Sequence, residues 1–212
     1  MNNLATLEPL RQRADYTHKY NVKTGRHGWL RLTPAYSVRV VEELMEHTKG
    51  HLRVLDPFCG TATTALSAAY HGHDAVTTDI NPFLVWLGQA KTDHYSEAVI
   101  ARTGDACAQA LQRVAKAKGE PPAAPPIHNI ERWWSPGALA FLCHLQDAIA
   151  AATEPTSQEA TLLKVAFCRT LIACSNAAFN HQSMSFKEAP QAELDIAVDY
   201  HCLLYTSDAA DE

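Results

Sequence analysis

The stretch LDPFCGTATT, residues 55–64, decides how this chain is read. With HLRV in front of it, it describes the end of a short buried strand, a tight turn and the start of a helix, with Asp56 at the hinge. A turn of this kind gathers backbone N–H groups and the positive end of a helix dipole around a small ligand. An acid at the strand's end can accept hydrogen bonds from a bound ammonium. Gly60 permits a close backbone approach or a positive φ. Ala62 stands where a second glycine is expected. At an ordinary helical φ it costs nothing there, and at a positive φ it weakens binding. No lysine follows, so the turn is not a P-loop and triphosphate binding is not expected; nor is it a GxGxxG turn.

The surrounding segments fit the same plan. Upstream, TPAYSVRVVEELMEH reads as a helix with Thr33 as N-cap, Pro34 at its first position, and Val38, Val41, Leu44 and Met45 on one face. Downstream, TATTALSAAYHG is a helix rich in small residues that Gly72 closes, and HDAVTTDI is a second strand. Asn81 then caps a third helix, with Pro82 just inside it. Strand, helix, strand, helix is the opening of a parallel α/β sheet.

Asp79 ends the second strand, 23 positions after Asp56. In doubly wound folds an acid at that place is positioned to take the two hydroxyls of a ribose. Capping of the third helix is its plain structural alternative. Phe83 either lies against an adenine face or belongs to the core. Together the two acids, at the tips of neighbouring strands, favour a nucleoside ligand.

The combination VLDPFCGTATT followed by TTDINPFLVWLGQAK resembles the cofactor half of the amino-DNA methyltransferases, the N4-cytosine and N6-adenine group. The first motif of that family looks like DPFxGxGTT, and its second strand ends in an acid often followed by Asn-Pro. The upstream segment GRHGWLRLTPAYSVRVVEELM is similar to the stretch those enzymes place before the loop. The resemblance covers about residues 25–92. It implies an α/β, class I (Rossmann-like) fold of S-adenosylmethionine-dependent methyltransferases, incomplete in this chain and carrying a mainly helical insertion. It further implies S-adenosyl-L-methionine as cofactor and double-stranded DNA, with the target base flipped out, as partner. By the same resemblance, the segment from Thr33 and Pro34 to Ser37 lies near the methionine end. Asp56, Phe58 and Gly60 hold its amino acid, with Pro57 and Thr61 in the same loop, and Asp79 takes the ribose. Ile80, Asn81 and Pro82 complete the cofactor-binding set.

The chemical half of the family carries a [DNS]PP[YFW] tetrad, whose first residue and backbone orient the target amine while the aromatic stacks on the base. No such tetrad occurs in the sequence. SPGA at 135–138 lacks the second proline and the aromatic, and GDA at 104–106 lies in a helical context. The catalytic motif is therefore expected beyond residue 201. The last eleven residues, CLLYTSDAADE (202–212), follow no periodic pattern and read as a translated transposon-end sequencing adaptor. The expected organisation is a basic leader (1–32), a cofactor-binding α/β half-domain (33–96), a helical insertion or cap (97–190) and the adaptor-derived end.

Within the helical block, residues 97–118 are Ala-rich and GEPPAAPP (119–126) is a stiff break. Ser135 caps one long helix. Thr156 is expected to cap another, with Glu159 closing a capping box and the helix running to about Ala178. Trp133 and Trp134 read as packing anchors. FNHQSMSFK (179–187) is a polar helix exit that could approach DNA.

Composition is that of an ordinary globular chain, 47% hydrophobic and 19% charged. No apolar run approaches the roughly 20 residues of a membrane span. The start, MNNLATLEPLRQR, lacks the apolar core of an export signal, so a cytoplasmic location is expected. Six scattered cysteines form no CxxC pair and read as reduced thiols. The pairs His47/His51 and His71/His73 lack a third ligand at metal spacing, so no metal is expected. The first forty residues carry seven Lys/Arg against Glu8 and Asp15, which suits a polyanionic partner or a solvated leader equally. An RNA guanine-N2 methyltransferase is the nearest rival enzyme, and a non-catalytic cofactor-binding fragment is the alternative of another class.

Overall fold

The computed structural model describes residues 14–17, 19–30, 36–178 and 185–186. The chain divides between Thr92 and Asp93 into two compact units.

In the first unit, 3-10 turns at Ala14–Tyr16, Tyr20–Lys23 and Gly25–Gly28 precede α1 (Val38–Glu46), β1 (Arg53–Asp56), α2 (Thr63–Tyr70), β2 (Asp74–Thr77) and α3 (Pro82–Thr92). β1 and β2 pair in parallel, Arg53 opposite Asp74 and Asp56 opposite Thr77. Parallel neighbours need a crossover connection, which α2 provides. Strand alternation then sorts the side chains. Val54 and Ala75 face the buried cluster of Val41, Met45 and Ala68. Leu55 and Val76 lie on the other face, 70% and 61% exposed. Parallel sheets normally bury both faces; this one leaves Leu55 and Val76 largely exposed on the face that also carries Arg53 and Asp74. No third strand joins it among the described residues, so the α/β architecture is observed as one parallel strand–helix–strand unit.

Thr33 and Pro34 lie outside the described residues. α1 itself begins at Val38, with Ser37 as its N-cap accepting from the Arg39 N–H at 3.2 Å. A second acceptor explains that start: Asn21 Oδ1 takes the Val38 N–H at 2.8 Å, while its Nδ2 donates to the Tyr36 carbonyl. Val38, Val41 and Met45 are buried as the periodicity predicts, but Leu44 is 67% exposed. Gly72 closes α2 at φ 70, and Asn81 caps α3 by accepting from the Phe83 N–H at 3.0 Å.

The second unit contains α4 (Glu97–Lys116), α5 (Ile130–Trp133), α6 (Pro136–Ala152), α7 (Gln158–Ala173) and a short antiparallel pair, β3 (Ala177–Ala178) with β4 (Ser185–Phe186). Cys107, Ala110, Leu145, Ile149 and Leu163 form the shared core of α4, α6 and α7. Ser135 caps α6, as its position before Pro136 suggests. α7 starts one residue later than expected. Glu154–Ser157 closes as a turn, with Ser157 N–H donating to the Glu154 carbonyl at 3.0 Å. Pro155 sits at the position such turns favour, which passes the cap from Thr156 to Ser157. Glu159 consequently misses the capping-box place and instead accepts from Arg102 Nε at 2.6 Å. Trp134 is 8% exposed and donates its indole N–H to the Leu171 carbonyl, a packing anchor. α7 ends at Ala173, short of the expected Ala178, which belongs to β3. Of the polar exit 179–187, only Ser185 and Phe186 are described.

Candidate functional site

The carboxyl ends of β1 and β2 lie side by side because the strands pair in register. The loops that leave them are laced together. Cys59 N–H donates to the Thr78 carbonyl at 2.8 Å, Thr78 N–H to the Asp56 carbonyl at 3.1 Å, and Thr78 Oγ1 to the Pro57 carbonyl at 2.9 Å. In open α/β sheets this edge is where ligands bind. Asp56, Pro57, Phe58, Gly60, Thr61, Asp79, Ile80, Asn81 and Pro82 are thereby brought to one edge of the unit.

Asp56 is half-buried. Its Oδ1 accepts from the Phe58 N–H at 3.0 Å, a local turn that fixes the carboxylate. Its Oδ2 is buried and has no hydrogen-bond partner among the described residues. Buried polar atoms are rarely left so, and a carboxylate oxygen in this state is an acceptor waiting for a donor.

Asp79 does not end the second strand as expected: β2 stops at Thr77, and Asp79 lies two residues on, in the loop before α3. Oδ2 accepts from the Gly60 N–H at 2.9 Å and Oδ1 from the Asn81 N–H at 2.8 Å. These backbone donors, Asn81 first and Gly60 next, hold its carboxyl below the usual carboxylate range. Each oxygen keeps acceptor capacity beyond that one bond. Asp79 therefore ties the two loops together and still offers an anionic edge. Around the pair stand Phe58, 82% exposed, and Ile80, fully exposed, two apolar side chains with nothing packed on them. Phe83 sits farther along α3, its ring 5.5 Å from that of Trp86.

The turn itself is left-handed twice, at Gly60 (φ 51) and at Ala62 (φ 61). Ala62 is thus in the conformation a glycine would favour, and its methyl is fully buried beside Cys59 and Ala65. The Thr61 carbonyl between them is bonded by Lys91 Nζ at 3.0 Å.

Three further side chains stand at the site: Tyr36 falls in the segment that the resemblance places near the methionine end, His27 in the similar upstream stretch, and Lys91 gave no signal in the sequence. Tyr36 donates to or accepts from Thr64 Oγ1 at 2.6 Å, across the first turn of α2. Burial raises its phenol pKa, the Thr64 bond opposes that shift, and the nearby Asp56 charge adds to it. Lys91 is fully buried, whereas a lysine near the end of a helix reads as a surface residue. His27 is also buried, its two ring nitrogens without a hydrogen-bond partner among the described residues. Its ring meets Tyr70 edge-on at 5.9 Å.

The residues present fit a nucleoside that carries an amino acid. An unsatisfied buried carboxylate oxygen suits an ammonium, an anionic edge at the next strand suits vicinal hydroxyls, and exposed apolar side chains suit a base. Among the described residues no group of three His, Cys, Asp or Glu could hold a metal ion. His51, for instance, is engaged by the Gly72 carbonyl and by Asp74. No helix among them is long and apolar enough to cross a membrane.

No curated protein and no solved structure matches the chain. Residues 37–116 match the family model described as D12 class N6 adenine-specific DNA methyltransferase, so this stretch of the chain is similar to that family.

Proposed function

We propose that the chain is the cofactor-binding part of an enzyme that transfers the methyl group of S-adenosyl-L-methionine to an exocyclic amine in DNA, N6 of adenine or N4 of cytosine. The single observation that carries the reading is an unsatisfied Asp56 oxygen at the end of β1 together with Asp79 just past the end of the neighbouring parallel β2, inside the stretch that matches a methyltransferase family model. Asp56, Phe58 and Gly60 would hold the amino-acid end and Asp79 the ribose. Pro57 and Thr61 shape the loop, and Ile80, Asn81 and Pro82 border the adenine. Thr33 and Pro34, outside the described residues, would by the resemblance lie near the methionine end of the cofactor. When bound, the cofactor supplies an electrophilic methyl group on a sulfonium. The task of this chain is then to orient that group and to exclude water, and orientation of this kind can supply a large part of a barrier reduction.

The family description favours adenine as target. The sheet would continue as a class I, Rossmann-like one, and the helical block 97–190 would stand as an insertion or cap between the cofactor half and a catalytic half bearing [DNS]PP[YFW]. DNA as a partner, a cytoplasmic setting and a place in a restriction–modification system follow from the same reading.

Titration calorimetry tests it. The parent chain should bind S-adenosyl-L-methionine, and Asp56→Ala and Asp79→Ala should each weaken binding at least about tenfold, the loss of one charge-assisted contact. Methyl transfer to DNA by this chain alone is not expected. A parent chain that binds no cofactor, or an Asp79→Ala variant that binds like the parent, would sink the proposal.

A further inference from the structure

Lys91 occupies an unusual position for a lysine. Its side chain is fully buried, and no carboxylate pairs with it among the described residues. Its ammonium donates instead to two backbone carbonyls, Thr61 at 3.0 Å and His27 at 3.4 Å. The first lies between the two left-handed residues of the turn, Gly60 and Ala62. The second lies in the 3-10 turn Gly25–Gly28, which is bound to the same helix end by Arg26 Nη1 donating to the Lys91 carbonyl at 3.2 Å. One turn earlier in α3, Gly88 lets the loop come close. A Cβ there would stand 3.1 Å from Cys59 Sγ and 3.3 Å from the Ala62 Cβ. A buried, uncompensated ammonium is expensive, and an apolar residue would fill the space at less cost if packing were its sole role.

We propose that Lys91 is a positioning residue for the cofactor loop: its ammonium holds the Thr61 carbonyl inward, fixes the left-handed path from Gly60 to Ala62, and makes ligand affinity follow the charge on this one side chain. The inference rests on reading the loop as a cofactor site. A carbonyl turned into the interior leaves the N–H groups at the start of α2, which have no intrahelical partners, on the ligand side of the turn. The groups facing Lys91 are few. Cys59 belongs to the loop, Arg26 and His27 to the 3-10 turn, and Tyr70 of α2 stands behind His27. Burial lowers the lysine pKa from its ordinary 10.5 to about 8, with Cys59 opposing the shift. The ammonium is then lost within a mildly alkaline range, and the bond to Thr61 falls back from a charge-assisted one to a neutral one.

The sign of the stability effect is opposite to that of the binding effect. Between about 8 and 10.5 the unfolded chain binds more protons at this lysine than the folded chain does. Folding stability from this group therefore rises as pH rises through that window, while the loop loses its anchor. A lysine with a merely structural role would not move the two in opposite directions.

The test uses the full chain. Without any ligand, the amide resonances of Gly60, Thr61 and Ala62 are followed from pH 6.5 to 9.5. They should titrate together with a midpoint near the lysine's value of about 8 and stay flat in Lys91→Met. Flat resonances in the parent overturn the proposal, whatever the fate of the variant. Calorimetry with S-adenosyl-L-methionine should then show affinity falling by up to about tenfold from pH 7 to pH 9 in the parent, as the competent fraction shrinks. The α-amino group of the ligand titrates in the same range, so Lys91→Met serves as the reference that keeps that component. Equal pH dependence in folded parent and folded variant also overturns the proposal. Absence of binding at every pH would remove the proposed function, and the ligand-free titration would still decide the role of Lys91 in the loop.

Discussion

At the scale of single residues, Ala62 is where conformation and chemistry meet. A non-glycine residue at φ 61 and ψ 29 carries roughly 1–2 kcal/mol of left-handed strain. Glycine would relieve that strain but adds backbone freedom to the unfolded chain and removes a buried methyl, each worth roughly 0.5–1 kcal/mol. Ala62→Gly should therefore leave stability within about 1 kcal/mol of the parent. Ala62→Val, β-branched and placed in a fully buried site, should lose more than about 2 kcal/mol. Urea unfolding of the pair decides the point. At an ordinary helical angle the glycine would instead cost more than about 1 kcal/mol, the loss of helix propensity added to that of the buried methyl. The sequence flagged Ala62 as an anomaly but left both conformations open, because φ at that position is set by the closure of the loop. Lys91 was silent for a related reason. A lysine one turn after Gly88 in a largely apolar helix gives no local sign that the loop between β1 and α2 lies over it.

Among the elements, β1 and β2 show how far local pattern reaches. Asp56 was legible at the tip of β1, and Asn81 with Pro82 marked the start of α3, because these signals are carried by adjacent residues; Asp79 was expected to end the second strand but lies two residues past it, since β2 stops at Thr77. The cap of α7 was displaced by one residue since Thr156 and Ser157 both qualify, and a turn closed by Pro155 chose between them. The exposure of one sheet face was not legible at all, because the alternation in RVLD and DAVT is apolar on both sides. That asymmetry has a measurable consequence. Val54→Ala removes contacts with the cluster of Val41, Met45 and Ala68 and should destabilise by about 1–2 kcal/mol. Leu55→Thr, at a position 70% exposed, should stay within about 0.5 kcal/mol. Chemical denaturation of the two variants measures the difference directly.

For the molecule as a whole, the acid limit of stability should be set in good part by His27. Burial first, and the Lys91 charge second, push its pKa from 6.5 down to about 4. A group depressed in the folded state contributes fully above its unfolded value and loses that contribution as pH falls through the folded one. The chain should accordingly lose on the order of 3 kcal/mol between pH 6.5 and pH 4 from this residue. His27→Phe keeps a ring against Tyr70 but cannot take up a proton, so its unfolding free energy should fall less steeply over that interval. An equal slope in the two proteins would show that His27 is not the acid-sensitive group. The loop also carries a thiol, Cys59, only 3% exposed beneath the turn. A reagent can reach an enclosed sulfur only during excursions that open its cover. Its labelling rate thus counts how often the turn opens, and the protein arrives with its own stopwatch for that motion.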